Sequence, residues 1–234
     1  MWVIRRRTLI VCSLLLATVI ALVSVLSVHL INMAGEDALM TVVIDAGHGG
    51  VDGGAVGINT GVKESDLNLK LARELQSQFH AAGFAVVMTR RDENGLYGNL
   101  SEGYKRRDMQ RRREIILEAN PVLVLSIHLN KYSQEYRRGA QVFFDAENAE
   151  GKSLAHFVQD ALNNTVNTRA YTELKGDYYM LNSHPYPAAI VECGFLSNPD
   201  EEALLQTEDY RRTLCAAIFS GAIGYLMSQH GTAA

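Results

Sequence analysis

Val42-Val43-Ile44-Asp45-Ala46-Gly47-His48-Gly49-Gly50 is an apolar run that closes in a glycine-rich turn carrying one histidine. Short β-branched runs bounded by glycine read as strands, and this one places the first strand at Thr41–Asp45. Working outward, Phe84–Thr89, Val122–Ile127, Ala140–Phe144 and Ala188–Glu192 have the same form. Helical patterns separate them. Ser65–Ala82 carries Leu67, Leu69, Leu71, Leu75 and Phe79, broadly on one apolar face, with Ser65 as N-cap and Gly83 as the stop. Asp108–Ala119, Lys152–Val166 and Tyr210–Met227 follow. Strands alternating with helices predict a single α/β domain with a central, largely parallel sheet flanked by helices. In such sheets function gathers at the carboxyl ends of the strands.

His48, His128 and Glu192 fall at or just past predicted strand ends, and Glu64 stands immediately before the first helix. Two imidazoles and a carboxylate make an open three-ligand zinc site, and a further carboxylate can serve as general base. Each residue also has a plainer reading. His48 could belong to a flexible turn, although no Gly-Lys-Ser/Thr follows to make a phosphate loop. Glu64 could simply complement the helix dipole. His128 could be a buried ring bonded to a carbonyl. Glu192 extends a very apolar strand, where a carboxylate is costly unless paired or near a metal, and it could be a fourth ligand as readily as a base. The strand-end position that His48, His128 and Glu192 share is the reason to group them, and with Glu64 they make the chemistry of a water-activating metallohydrolase.

Residues 1–31 are different in kind. Arg5-Arg6-Arg7 precede an uncharged apolar run from Thr8 to Leu30, long enough to span roughly 30 Å of hydrocarbon. With the arginines on the N-terminal side and Glu36-Asp37 beyond, the pattern predicts a single-pass anchor with the body outside the cytoplasmic membrane. A secretory signal peptide is the rival reading. Residues 32–40 form a linker, and 41–230 the catalytic domain. The chain of 234 residues carries 22 Lys and Arg; without the three anchor arginines, 19 face 26 Asp and Glu, so the body stands near −7. A body that acidic lacks the footprint of a nucleic-acid binder. Cys193 and Cys215 read as buried thiols or as a disulfide, and no Cys-x-x-Cys pair indicates a zinc knot.

Val43 to Gly50, the Lys63-Glu64-Ser65-Asp66-Leu67 helix start, Ser126-Ile127-His128-Leu129-Asn130 and Val191-Glu192-Cys193-Gly194-Phe195-Leu196-Ser197-Asn198-Pro199 resemble zinc-dependent N-acetylmuramoyl-L-alanine amidases of the amidase-3 type. Met88-Thr89-Arg90 and the segment from Arg107 to Arg113 resemble its intermediate motifs. The likeness covers essentially the whole body. It implies that His48, Glu64 and His128 bind Zn²⁺ and that Glu192 is the catalytic carboxylate. It further implies hydrolysis of the amide joining the lactyl group of N-acetylmuramic acid to L-alanine of a peptidoglycan stem peptide.

Length and layout are most similar to the germination-type, spore-cortex members, which implies a deacetylase partner in muramic-δ-lactam formation and an activating lipoprotein. The competing readings are a membrane-tethered, catalytically silent wall-binding or scaffold protein and another zinc hydrolase such as a peptidase or sugar deacetylase. Arg106, Arg107, Arg111 and Arg138 either meet stem-peptide carboxylates or form a solvated face.

Overall fold

In the computed structural model, which describes residues 39–231, the opening run begins in β1 (Thr41–Ala46), the second strand from one edge of a six-stranded sheet. The chain continues through α1 (Glu64–Ala81), β2 (Ala85–Met88), α2 (Tyr104–Ala119), β3 (Leu123–Asn130) and β4 (Gln141–Phe144). It then passes through α3 (Ala149–Thr165), β5 (Leu174–Lys175), α4 (Tyr179–Asn182), β6 (Ala188–Phe195), α5 (Pro199–Gln206) and α6 (Glu208–Gly231). The strand order is β2-β1-β3-β6-β4-β5. The pairs β1–β2, β1–β3 and β3–β6 are parallel, as the alternation predicts, while β4 runs antiparallel to β6.

The apolar strands are explained by burial on both faces. Val42, Ile44, Leu123, Leu125, Ile127 and Val191 point into the larger core, against α1, α3 and α6. In α1 the stripe Leu67, Leu71, Leu75 and Phe79 is fully buried, each side chain contributing about 1.5–3 kcal/mol of transfer free energy. Val43, Val124 and Ile190 point to the other face, where Ile116 of α2 and Met180 and Leu181 of α4 cover them. Asn120, in the left-handed conformation, stops α2 ahead of Pro121.

From β1 the chain steps through α1 to β2 on one side, then returns through α2 to β3 on the other. The order therefore reverses between β1 and β3, and a crevice opens there at their carboxyl ends. That crevice receives His48 and His128.

Several boundaries differ from the sequence expectation. Glu64 is the first residue of α1 rather than the one before it, and Ser65 does not cap the helix. Loop carbonyls do this work instead: Glu64 N–H donates to Ala55 O (2.8 Å) and Ser65 N–H to Gly53 O (3.1 Å), satisfying helix donors that a side-chain cap would otherwise take. His128 and Glu192 lie inside β3 and β6, which run on to Asn130 and Phe195. Cys193 and Cys215 are buried free thiols rather than a disulfide. The expected anchor lies outside the described residues, among which no helix is long and apolar enough to cross a membrane.

Candidate metal centre and its carboxylate

His48, Glu64 and His128 each offer one ligand atom, and these atoms all lie within 4.8 Å of one another. Glu64 Oε1 sits 3.2 Å from His48 Nε2 and 3.1 Å from His128 Nδ1. Ligands at ordinary Zn–N and Zn–O lengths in a tetrahedron are about 3.3 Å apart, so the donor set fits a divalent ion of zinc's preference.

The backbone builds this cluster under tight steric control. A Cβ at Gly47 would stand 2.3 Å from the His128 ring, so only glycine lets β1 pass it. Gly54 has φ +67°, and a Cβ there would lie 2.4 Å from Glu64 Oε2. His48 is itself a non-glycine residue at φ 61°, a conformation that persists only when the surroundings hold it. Arg112 does the holding: its Nη2 donates to His48 O (2.6 Å) and its Nη1 to Ala46 O (2.7 Å). Arg90 completes the cradle from the other side, donating to Ala46 O, Gly47 O and Ser65 O.

Arg112 is 2% exposed and pairs with Asp45, 1% exposed, at 2.6 Å. Asp108 takes a second bond from Arg112 Nε at 2.6 Å. Thr89 and Ser126 hydroxyls donate the remaining bonds to Asp45. Burial works to raise the Asp45 carboxyl, but Arg112 and the two hydroxyls outweigh it and hold it at about 2.

Glu64 is satisfied on both oxygens. Oε2 accepts from Ala55 N–H (2.7 Å), and Oε1 from Leu129 N–H (3.1 Å) and Asn68 Nδ2 (3.2 Å). Burial opposes its charge, yet the two histidines drive its carboxyl far below the ordinary range. On the outer side of His48, Asp52 Oδ2 lies 3.1 Å from Nδ1. A carboxylate there fixes the ring orientation and tautomer so that Nε2 faces the cluster. Burial disfavours the His48 cation, but Glu64 and Asp52 raise its pKa to about 9.

The loop between His48 and Glu64 is pinned from far along the chain. Glu202 of α5 accepts from Asn59 N–H and Thr60 N–H, both at 2.8 Å, and from the Thr60 hydroxyl. Its neighbour Glu201 accepts from Gly139 N–H (2.7 Å) and Phe195 N–H (2.8 Å), tying down the lip beyond β6.

Glu192 stands opposite His128 in the β3–β6 register. The two share a cavity of about 120 Å³ walled by Met109, Tyr178, Tyr179, Met180 and Ile190. Among the described residues, Glu192 Oε2 is buried with no hydrogen-bond partner. Burial raises its carboxyl above the usual range, the nearby histidines opposing and Glu64 reinforcing that shift. A raised, unpartnered carboxylate beside a metal-type cluster suits proton transfer.

All four sequence-selected residues thus gather at one crevice. Sequence reasoning passed over Asp52, Asn68 and the Arg112–Asp45 pair. The acidic residue four positions after His48 was the available signal for Asp52. Of the candidate arginines, Arg107 is tied to the carbonyls of Tyr97, Asn99 and Glu102, and Arg111 pairs with Glu114 and Glu118. Neither is left for a ligand. His184, a loop residue by sequence, is buried with Nε2 3.1 Å from Met180 O.

Comparison with known proteins places this arrangement. The Amidase_3 family, N-acetylmuramoyl-L-alanine amidase, matches residues 42–223. The germination-specific N-acetylmuramoyl-L-alanine amidase of Bacillus subtilis (strain 168) is 35% identical over 189 residues, covering 79% of this chain and 78% of that protein. Among solved structures, the CwlD amidase from Clostridioides difficile in complex with the GerS lipoprotein superposes with a TM-score of 0.77. It is 33% identical over 81% of this chain and 99% of that one. An N-acetylmuramoyl-L-alanine amidase from Clostridium difficile 630 gives 0.73 at 28% identity, over 82% of this chain and 98% of that one.

Proposed function

The chain belongs to the N-acetylmuramoyl-L-alanine amidase family, and from that membership we propose a zinc-dependent cell-wall hydrolase acting in spore-cortex maturation. Its substrate is the amide between the lactyl group of N-acetylmuramic acid and L-alanine of the stem peptide. One observation carries the reading: the unpartnered Glu192 Oε2 lines the same cavity as His128, beside the His48–Glu64–His128 cluster. The cortex role is supported by the germination-specific Bacillus relative and by CwlD, each matched over most of its length. The likeness to CwlD in complex with the GerS lipoprotein supports a lipoprotein partner, and the cortex reading makes a deacetylase the next enzyme toward muramic-δ-lactam. The N-terminal anchor would hold the catalytic domain outside the cytoplasmic membrane.

His48, Glu64 and His128 would hold the zinc. The ion, when bound, supplies Lewis acidity that polarises the scissile carbonyl and makes the attacking water easier to deprotonate. Glu192 takes that proton and returns it to the leaving L-alanine nitrogen. Asp52 keeps the His48 ring oriented, and Arg112 and Arg90 keep its backbone in place. Met109, Tyr178 and Met180 shield the Glu192 carboxyl from bulk water.

Mass spectrometry of peptidoglycan digested with the zinc-loaded protein tests this reading. Stem peptides released with a free L-alanine N-terminus are the expected product. Cleavage at any other bond would move the protein to another class of metallohydrolase.

A second expectation concerns pH. Without metal, His48 titrates at about 9, above its ordinary 6.5. A raised folded-state value stabilises the metal-free protein fully below 6.5, and that contribution is lost as pH rises through 9. Zinc requires the neutral ring, so binding expels the His48 proton over the same window. Apparent zinc affinity should rise with pH from 6.5 to about 9, close to tenfold per unit, while metal-free stability falls. Titration calorimetry in buffers of different ionisation enthalpy reads the released proton. A flat affinity across that range would contradict the His48 assignment.

A further inference from the structure

One strand out from Glu192, a second cavity of about 150 Å³ opens at the start of β4, with Asn130, Tyr132, Arg137, Arg138, Gln141 and Phe195 among its walls. Register fixes its relation to the first cavity. Gln141 lies directly opposite Glu192, and Phe143 opposite Ile190, on the same face of the sheet. Strand neighbours are about 4.8 Å apart. The Phe143 and Tyr178 rings, one in each cavity wall, meet edge to face at 5.6 Å. Because β4 runs opposite to β6, the segment carrying Arg137 and Arg138 sits at the carboxyl end of β6, beside the crevice.

The two guanidiniums form no ion pair among the described residues. Arg137 stacks on the Tyr132 ring, its Cζ 4.8 Å from the centroid, an arrangement that keeps its donors free for a ligand. Glu201, whose carboxyl feels the Arg138 charge, is itself held by the Gly139 and Phe195 N–H groups. The cavity thus presents two arginines and Asn130 next to the catalytic carboxylate, on a body of net negative charge. Arginine in this setting is suited to a carboxylate, which its planar fork binds through two parallel bonds.

We propose that the Arg137–Arg138 cavity is the subsite for the leaving peptide and binds its first free carboxylate. The proposal rests on the amidase reading above. In that substrate the lactyl carboxyl is consumed in the scissile amide, so the anionic groups near the bond belong to the peptide. The residue after L-alanine is a glutamate joined through its side chain, whose α-carboxyl is either free or amidated. Two residues of extended chain reach about 7 Å, which carries that carboxyl from a nitrogen beside Glu192 across one strand spacing to the arginines. The peptide then runs over β4, and the glycan leaves toward Met109 and Met180.

The test uses the zinc-loaded full chain and two glycan substrates that differ at one group, the α-carboxylate of the second residue or its carboxamide. Wild type should prefer the carboxylate by about tenfold in kcat/KM, through KM, as expected for a charge-assisted bidentate contact. The Arg137→Gln/Arg138→Gln variant should erase that preference, with Arg138→Gln alone used if the double variant does not fold. A wild type indifferent to the two groups, or a variant that keeps the preference, would overturn the subsite. If wild type hydrolyses neither substrate even with a lipoprotein of the GerS type added, the amidase reading fails instead. Calorimetric binding of the free dipeptide L-alanyl-D-glutamine, whose α-carboxylate is free and whose side-chain carboxyl is an amide, then decides the subsite: binding that the variant loses supports it, and binding that is absent or unaltered overturns it.

Discussion

Replacing Glu192 by glutamine should leave zinc stoichiometry unchanged and slow amide hydrolysis at least about a hundredfold, the lower end of what a positioned proton-transfer group contributes. The substitution preserves size and shape in a strand that packs tightly on both sides. Glu192 lies outside the three-residue cluster, so metal retention is expected. Glutamine cannot take a proton from water or pass one to the departing amine. The Oε2 position has no hydrogen-bond partner to lose, so the fold tolerates the exchange. Zinc content by mass spectrometry, read beside initial rates, separates the two effects. An unaltered rate removes Glu192 from the mechanism, and a loss of zinc makes it a fourth ligand.

Arg112→Met should lower stability by about 3–5 kcal/mol, the usual result of stranding one partner of a buried ion pair. Asp45 would keep only the Thr89 and Ser126 hydroxyls. The carbonyls of Ala46 and His48 would each lose a donor, and with it the restraint on the left-handed His48 backbone. Urea unfolding of the metal-free protein measures the loss; a change below about 1 kcal/mol would mean that the network relaxes or hydrates at little expense. Pairing the change with Asp45→Asn should restore part of the stability, because the uncompensated charge is then gone. The same pair sets an acid limit. Asp45 has a folded value near 2 against an ordinary 3.8, so its contribution is complete above 3.8 and disappears as pH falls through 2.

Periodicity reveals what is long and uniformly apolar. The β1 and β3 runs and the Leu67–Phe79 stripe could be read directly, and with them the class of fold and the end of the sheet where His48 and His128 gather. Elements too short to show a period could not: β5 has two residues and α4 four. The reversed direction of β4 is a long-range pairing that no local pattern encodes. In α2 the run of arginines resembles a solvated helix face, yet Arg112 is among the most deeply buried side chains. Its partner Asp45 is 67 residues away, so neither charge advertises the other. The α5 start was legible in retrospect. Asn198 caps it, Pro199 takes the first turn, and Asp200, Glu201 and Glu202 follow, an ordered set of N-terminal signals.

The Glu202 pin gives this protein a schedule. His48, Glu64 and His128 have all been made by the time residue 128 leaves the ribosome, but Asn59 and Thr60, in the segment joining the first two, are fastened by a side chain more than 140 positions behind them. From His128 to Glu202 is 74 residues, which at about 5–20 residues per second takes roughly 4–15 s. During that interval the nascent chain holds every candidate metal ligand without the Glu202 clasp on the loop between the first two. Glu192, too, emerges only ten residues before the clasp. The order of synthesis therefore makes Glu192 and the finished loop nearly simultaneous, and the last third of the chain completes a cluster whose three residues are all made before it.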